Sequence, residues 1–272
     1  MISQALLNQW EIRRFPFIMH PMQTMVQTEQ AINLIRKSHR IVALSGAGIS
    51  TEAGIPDFRG PGGMWEDPDL LEQMSASGFG RNPEGFYRTS ARLFSTIARA
   101  EPTFAHRLLV RLEQLGKIEA VVTQNIDGLH HRAGSSKVYE LHGTYRTGHC
   151  TKCGAGFEMA AFYAAIESGR LELPLCDGCL APIKPDVVLF EDLLPADAWQ
   201  NSVRAAEQCD LMLVFGSSLV VYPAAELPMI ALAGGARLAI VNLESTGYDA
   251  MATVTVQCKL GEFAKTALAA FM

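Results

Sequence analysis

The five residues 123–127, Thr-Gln-Asn-Ile-Asp, decide the fold of this chain, because they directly follow the apolar run that ends in Val121-Val122. Such a run predicts a buried strand that ends in a polar loop. His142-Gly143 follows a second short segment of this kind, 138–141. Ligands collect where parallel strands end, so the amide and carboxylate groups could hold a small heterocycle and the histidine could move a proton. Capping and turn chemistry alone would explain the same polar loop.

An earlier glycine-rich loop follows the same pattern. The run 41–44, Ile-Val-Ala-Leu, predicts a short buried strand, and Gly46-Ala47-Gly48 comes shortly after it. A strand that runs into Gly-x-Gly and then a helix is how a dinucleotide pyrophosphate is held, since glycine lets the backbone approach and the helix N-terminus offers N–H groups. Thr51 stands where the full fingerprint has its third glycine, so a simple tight turn is an equal interpretation.

The next segment, 52–63, is rich in glycine and proline and predicts a long loop of the kind that often covers a ligand. Within it, Arg59 could pair with a phosphate and Phe58 could cover a ring. The alternative is that Arg59 is a solvated charge and Phe58 anchors the loop in the core.

Alternating strands and helices in the second half of the chain predict an α/β fold with a doubly wound parallel sheet. We predict strands at 187–190, 211–215, 237–241 and 251–256, and helices at 27–38, 198–208, 224–233 and 261–272. We also predict that residues 64–117 are mostly helical, from the spacing of their apolar residues. Three strand ends, Gly216-Ser217-Ser218, Asn242 and Gln124-Asn125-x-Asp127, would then face a single crevice.

Other histidines compete with His142 for a functional role. His106 lies at the start of a predicted helix, where a structural histidine is more common. His130 and His131 fall on an apparent short helix, 127–133, and could simply cap it or pack against it. Only His142 is at a strand end followed by glycine.

Two Cys-x-x-Cys pairs predict one structural zinc ion. The pairs are separated by twenty-two residues, a spacing that can place four thiolates around one tetrahedral ion, with no position left open for catalysis. The ion would stabilise a small module, 148–182, with a helix predicted at 157–169. The ligands would be Cys150, Cys153, Cys176 and Cys179; Cys209 and Cys258 are expected to be reduced thiols.

Composition excludes few classes of protein but argues against some partners. The chain has 272 residues, of which 49% are hydrophobic and 19% charged, and a net charge of −5 without a run of Lys or Arg. We therefore expect no direct binding to nucleic acid or membranes. No apolar stretch is long enough to span a bilayer and no secretory signal is recognisable, so we expect a cytoplasmic protein, with residues 1–27 as an extension without chemistry.

Taken together, these motifs resemble the sirtuin family of NAD-dependent protein deacylases. The resemblance covers about residues 30–265. Besides the segments above, it rests on Gly-Ile-Pro-Asp-Phe-Arg at 54–59, Lys-Pro-Asp-Val-Val at 184–188 and Phe-Gly-Ser-Ser-Leu at 215–219. It implies a Rossmann-like domain, with a core of 28–62, 103–147 and 183–272, joined to a smaller module of helices (63–102) and a zinc ribbon (148–182). NAD would be consumed as co-substrate.

The resemblance also implies roles for individual residues. His142 and Asn125 would be catalytic, and an extended acyl-lysine peptide would pair with Val187, Val188, Leu189 and Phe190. The residues expected to contact NAD are Gly46, Ala47, Gly48, Asp57, Phe58, Arg59, Gln124, Asn125, Ile126, Asp127, Gly216, Ser217, Ser218, Asn242, Leu243, Glu244 and Cys258.

Two departures from the family pattern concern the acyl peptide. Many sirtuins have Phe-Gly-Glu where this chain has Phe-Glu-Asp, so Glu191 replaces a glycine that lets the peptide backbone approach. Members that remove succinyl or malonyl groups have a Tyr followed three residues later by an Arg; here Tyr87 is followed by Ser90, with Arg88 and Arg92 nearby. We therefore expect a lysine deacetylase or related deacylase. The alternatives are a protein ADP-ribosyltransferase and a catalytically weak NAD-binding module.

Overall fold

The computed structural model describes residues 21–57 and 72–272. Within them, a six-stranded sheet in the order β3-β2-β1-β7-β8-β9 is parallel throughout, and a smaller antiparallel sheet has the order β5-β4-β6. The strands are β1 (Ile41–Ser45), β2 (Ile118–Thr123), β3 (Val138–Glu140), β4 (Gly143–Cys150), β5 (Gly156–Glu158), β6 (Ile183–Val187), β7 (Leu211–Phe215), β8 (Arg237–Asn242) and β9 (Val254–Gln257).

The α-helices of the described residues alternate with these strands along most of the chain. They are α1 (Pro21–Lys37), α2 (Ala76–Arg81), α3 (Pro83–Arg99), α4 (Phe104–Gln114), α5 (Leu129–Ala133), α6 (Ala160–Glu167), α7 (Ala196–Gln208), α8 (Leu227–Ala233) and α9 (Leu260–Ala270). None of them is both long enough and apolar enough to cross a bilayer. The first helix begins at Pro21, earlier than the expected start at Gln27.

Helices cover both faces of the large sheet, which explains why its central strands are continuous apolar runs. All five residues of β1 and of β7 are buried. One face packs against α1, α4 and α9, through residues such as Ile35, Leu108 and Phe263. The other face packs against α7 and α8, through residues such as Ala206 and Leu227. This arrangement confirms the predicted doubly wound α/β fold.

The strand order reverses direction between β1 and β7, and this creates a crevice at the carboxyl ends of the two strands. From β1 the chain proceeds to β2 and β3 on one side, whereas β7, β8 and β9 extend the sheet on the other side. The residues just beyond β1, β2, β7 and β8 therefore meet at one edge of the sheet.

The small sheet and the helices around it share one apolar core. Phe94 of α3 lies against Tyr163 of α6, with ring centroids 4.5 Å apart, and Tyr145 of β4 stacks on Tyr163 at 5.9 Å. The buried thiols Cys150 and Cys176 belong to the same cluster. The helices α2 and α3 and the cysteine-bearing segment thus share this core.

Several predicted element boundaries were wrong. The predicted strand 187–190 ends at Val187, and Phe190 is 44% exposed. Here the backbone leaves the small sheet and forms an isolated bridge with Ser75. The predicted helix 157–169 is shorter, because 156–158 pair with β4 as a strand and α6 begins at Ala160. The last strand begins at Val254 rather than Met251, which lies in a 3-10 turn.

Candidate active site

A cavity of about 1010 Å³ opens at the edge of the large sheet where β1, β2, β7 and β8 end. Its size suits a ligand at the upper end of the small-molecule range. Its lining includes four groups of residues: the loop after β1 (Gly46, Ala47, Gly48, Thr51, Glu52, Asp57), the loop after β2 with its histidine (Gln124, Asn125, Ile126, His142), the segment 187–194, and the ends of β7, β8 and β9 (Gly216, Ser217, Ser218, Asn242, Leu243, Glu244, Cys258).

The floor of the crevice is a backbone contact between two glycine loops. The N–H of Gly48 donates to the carbonyl of Gly216 at 2.9 Å, and that of Gly46 donates to the carbonyl of Phe215 at 3.1 Å. A Cβ atom on Gly48 would come within 2.7 Å of the Gly216 Cα, and one on Gly216 within 2.6 Å of the Gly48 carbonyl carbon. The floor is therefore bare backbone, which suits close approach of a phosphate.

Asn125 and Asp127 are buried behind this floor and share one hydroxyl group. Asn125 Nδ2 donates to the carbonyl of Gly46 and to Ser50 Oγ, both at 3.2 Å. Ser50 Oγ in turn donates to Asp127 Oδ2 at 2.6 Å. Burial raises the pKa of Asp127, and the hydrogen bonds from Ser50 and from the N–H of Leu129 oppose that rise. Asn125 lines the cavity, whereas Asp127 is not among the lining residues and holds the loop from behind.

His142 reaches the cavity from the end of β3. Its Nδ1 lies 2.8 Å from the carbonyl oxygen of Gln124. A carbonyl can only accept, so Nδ1 carries the proton and, in the neutral ring, Nε2 carries the lone pair. Gly143 follows with φ +72°, and a Cβ there would lie 1.9 Å from the Asp186 carbonyl oxygen. Glycine is thus required after the histidine, because β4 and β6 pair too closely there for any side chain.

The other candidate histidines of this region lie in the core. The rings of His106 and His130 are buried and packed with their centroids 4.7 Å apart. Burial lowers the pKa of His106 to about 3 and lowers the pKa of His130 well below its usual value. His130 Nε2 lies 2.8 Å from Ser45 Oγ, which donates to Thr123 Oγ1 at 2.9 Å. Neither ring lines the cavity, so both histidines support the strand ends from within the core.

The far end of the crevice is formed by the ends of β7 to β9. Gln124 Nε2 donates to Ser217 Oγ at 2.9 Å, which joins the loops after β2 and β7. Asn242 Nδ2 donates to the carbonyl of Glu244 at 2.8 Å and shapes the loop after β8. Burial, together with the nearby Glu262 charge, raises the pKa of Cys258 to about 11, so its thiol is protonated at neutral pH.

The opposite part of the cavity is apolar. It is lined by Met74, Leu93, Ile126, Val187 and Leu189. Among the described lining residues, the only Lys or Arg is Lys259, which belongs to the far end next to Cys258. Tyr87 does not line the cavity; its hydroxyl donates to the carbonyl of Ile183 at 2.6 Å. Ser90 is also buried and donates to the carbonyl of Phe86 at 2.7 Å.

The four cysteines of the two pairs fit a single tetrahedral zinc ion. One sulfur atom from each lies within 4.8 Å of all the others. A zinc ion with Zn–S bonds of about 2.3 Å requires sulfur separations of about 3.8 Å. The Sγ atoms of Cys150 and Cys179 are 3.3 Å apart, and those of Cys153 and Cys176 are 3.7 Å apart. The N–H groups of Lys152 and Cys153 point at Cys150 Sγ, as suits a thiolate ligand. Four sulfur donors leave no open position, so a zinc ion here is structural.

The residues expected to contact NAD or the peptide line the same cavity, with the exceptions of Asp127 behind it and of Phe58 and Arg59, which lie outside the described residues. Sequence reasoning missed Ser50, which links Asn125 to Asp127. A hydroxyl two residues after Gly-Ala-Gly is a visible signal, but its partner is seventy-seven residues away. It also missed the half-buried Trp199 and the exposed Tyr222, which line the cavity at positions where the sequence carries no functional pattern.

A family model for the Sir2 family matches residues 46–223. The chain belongs to the Sir2 family. Among its relatives are the NAD-dependent protein deacetylase of Thermotoga maritima, 42% identical over 88% of this chain and 96% of the relative, and the NAD-dependent protein deacylase 2 of Archaeoglobus fulgidus, 43% identical over 87% and 92%.

Solved Sir2 structures are similar to most of this chain. One is a Sir2 complex with a p53 peptide and NAD⁺, which matches with a TM-score of 0.82 and 42% identity over 89% of this chain and 98% of the other. Another is a Sir2 protein bound to a propionylated peptide, with a TM-score of 0.81 and 40% identity over 89% and 98%.

Proposed function

We propose that this Sir2 protein is an NAD-dependent protein-lysine deacylase, a transferase that moves the acyl group of a modified lysine to the ADP-ribose part of NAD and releases nicotinamide. One observation carries the proposal. A bare-backbone nucleotide crevice, a buried asparagine and a histidine with a defined tautomer converge on a single cavity that also contains an apolar slot. Its relatives act as NAD-dependent deacetylases and deacylases.

The crevice provides for both halves of NAD. The floor formed by Gly46, Gly48 and Gly216 accepts the pyrophosphate, because no side chain keeps it at a distance. Ser217, Asn242 and their neighbours at the ends of β7 and β8 hold the adenosine half. Gln124 and Asn125 hold the nicotinamide half, with Ile126 and, from behind, Asp127.

The chemistry uses the acyl group itself as nucleophile. Its oxygen attacks C1′ of the nicotinamide ribose while nicotinamide leaves, and a ribose hydroxyl then attacks the acyl carbon. The lysine amine then leaves and one water molecule adds to the acyl carbon, so the products are the free lysine, nicotinamide and O-acyl-ADP-ribose. His142 accepts the proton of that hydroxyl at Nε2, since Nδ1 is held as a donor by the Gln124 carbonyl. The imidazole is thereby fixed in the tautomer that a general base needs.

The peptide runs along the segment 187–190, which borders the cavity, and inserts its acyl chain into the apolar slot. The slot favours neutral acyl groups. Tyr87 and Ser90 have their hydroxyls committed to backbone carbonyls, and the described lining of the slot contains no cation. A succinyl carboxylate would therefore be buried without a partner, which is costly.

The decisive experiment combines NAD with one lysine peptide carrying an acetyl, propionyl or succinyl group and follows nicotinamide and free lysine together. We expect turnover of the first two and little of the third. His142→Ala should lose at least about 100-fold in kcat, as removal of a general base does. His131→Ala is the matched control, because His131 does not line the cavity and should retain activity.

Three results would contradict the proposal. A fully active His142→Ala variant removes the assigned base. Transfer of labelled ADP-ribose to protein without deacylation identifies an ADP-ribosyltransferase. NAD binding without turnover on any acyl peptide identifies a binding module. The cytoplasmic location expected from the sequence stays a prediction, which cell fractionation tests.

A further inference from the structure

The residue that replaces the family's glycine beside the peptide segment adopts a glycine-like backbone conformation. Glu191 has φ +78°, in the left-handed region that favours glycine. It follows the segment 187–190 directly and lines the mouth of the cavity. A glutamate in this conformation must be held there by its surroundings.

The side chain of Glu191 is held by one residue of the short helix α2. Its Oε2 accepts from the N–H of Ser77 at 2.9 Å, and its Oε1 accepts from Ser77 Oγ at 3.0 Å. Among the ion pairs of the described residues, none involves Glu191, so the carboxylate depends on these two neutral donors. The neighbouring Asp192 is engaged differently, with Lys184 Nζ at 2.7 Å.

The backbone of Phe190, next to Glu191, makes its hydrogen bonds to the residues that lead into α2. The N–H of Phe190 donates to the carbonyl of Met74 at 3.1 Å, and the carbonyl of Phe190 accepts from Ala76 at 2.9 Å. Phe190 is thus engaged with the helical module. Within the described part of the chain, neither the N–H nor the C=O of Glu191 has a hydrogen-bond partner. These two groups remain at the cavity mouth, where an extended peptide needs partners.

We propose that Ser77 holds the Glu191 carboxylate out of the peptide groove, so that Glu191 can present its backbone to the substrate as a glycine would. This inference rests on the proposed function, which defines the groove as the site of an acyl-lysine peptide. Ser77 is then a positioning residue. Without it, the carboxylate is released beside the carbonyl-rich peptide backbone, where it obstructs and repels the substrate. The nucleotide crevice is not involved.

The test is a double-mutant cycle in the full chain. Ser77→Asp replaces the donor hydroxyl by a like charge and expels the carboxylate, whereas Glu191→Gly removes it. The dissociation constant of a fluorescently labelled acetyl-lysine peptide is measured by anisotropy, and the KM for NAD by nicotinamide release. We expect Ser77→Asp to weaken peptide binding about fivefold, with the KM for NAD unchanged. Glu191→Gly should bind like the wild type, and the double variant should match Glu191→Gly.

Gly80→Asp is the matched control, because it adds the same charge to the same helix at a position where a Cβ meets nothing within 4 Å. It should bind peptide like the wild type. The inference is wrong if Ser77→Asp binds normally, or if its defect persists in the Glu191→Gly background. It is also wrong if the wild type binds no acyl peptide. If peptide affinity follows the expected cycle but no nicotinamide is released, the proposed function fails and the role of Ser77 stands.

Discussion

Replacing Gly216 by alanine tests the backbone contact that forms the floor of the crevice. Gly216 has φ +61°, and a Cβ there would lie 2.6 Å from both the Gly48 carbonyl carbon and the Ile49 nitrogen. Both obstacles are backbone atoms, so no side-chain rotation relieves the clash. The substitution therefore combines two penalties, an unfavourable conformation and an overlap.

The two penalties have separate sizes. Alanine in the left-handed region costs about 1–2 kcal/mol, and forcing an extra methyl group into a packed site costs about 1–3 kcal/mol. Together they lower the free energy of unfolding of Gly216→Ala by about 2–5 kcal/mol. Because the floor must shift to accept the methyl group, the KM for NAD should rise as well.

Two other glycines separate the penalties. Gly235 has φ +89° with nothing within 4 Å of a Cβ, so Gly235→Ala carries the conformational penalty alone. Gly247 has neither a positive φ nor a close neighbour, so Gly247→Ala should be close to neutral. Urea denaturation followed by circular dichroism gives the free energy of unfolding of all three variants. The reasoning is refuted if Gly216→Ala loses no more than Gly235→Ala, or if its KM for NAD equals that of the wild type.

Three further predictions concern buried groups. His106→Gln keeps the helix cap that His106 makes with Thr103 but removes a histidine whose pKa is lowered to about 3. Because burial keeps His106 neutral in the folded state, its contribution to stability is fully present above about pH 6.5 and is lost as the pH falls toward 3. Between pH 7 and pH 5 the free energy of unfolding should therefore fall by about 2 kcal/mol more in the wild type than in His106→Gln; equal losses in urea titrations would refute this. Ser50→Ala leaves Asp127 without its hydroxyl donor and should lower the free energy of unfolding by about 1–3 kcal/mol and reduce kcat, whereas Thr266→Ala, at an exposed position away from the cavity, should do neither; the idea fails if the two behave alike. Cys153→Ser should abolish the one zinc ion per chain and the near-UV circular dichroism of the Tyr145–Tyr163 stack, while Cys209→Ser retains both; a full zinc content in Cys153→Ser would contradict the assigned ligands.

Local patterns predicted the parts of the fold that depend on local physics. The apolar runs that became β1, β7 and β8 were recognisable because a sheet covered on both faces needs continuous apolar strands. The cysteine pairs were recognisable because zinc geometry fixes their spacing. The clustering of Gln124, Asn125 and Gly216 followed from one rule, that parallel strands end at one edge of the sheet.

The failures occurred where a distant partner decides the conformation. The apolar residues after Val187 looked like a strand, but the backbone of Phe190 bonds to Met74 and Ala76 rather than to the small sheet. Glu191 looked like an obstacle in the peptide groove, and only the structure shows Ser77, 114 positions away, as its partner. Likewise Ser50 gained its importance from a contact with Asp127 that no local pattern encodes.

The shared aromatic core of the small module has a consequence for how the protein responds to its surroundings. The sulfur ligands Cys150 and Cys176 pack in the same cluster as Phe94, whose neighbour Leu93 forms part of the acyl slot. The glycines of the nucleotide floor, Gly46, Gly48 and Gly216, are not members of that cluster. Scarcity of metal, or an oxidant that couples the thiols, would therefore first blunt recognition of the acyl chain while NAD still binds. The supply of zinc and the redox state around the protein would in this way affect which acylated lysines it can deacylate.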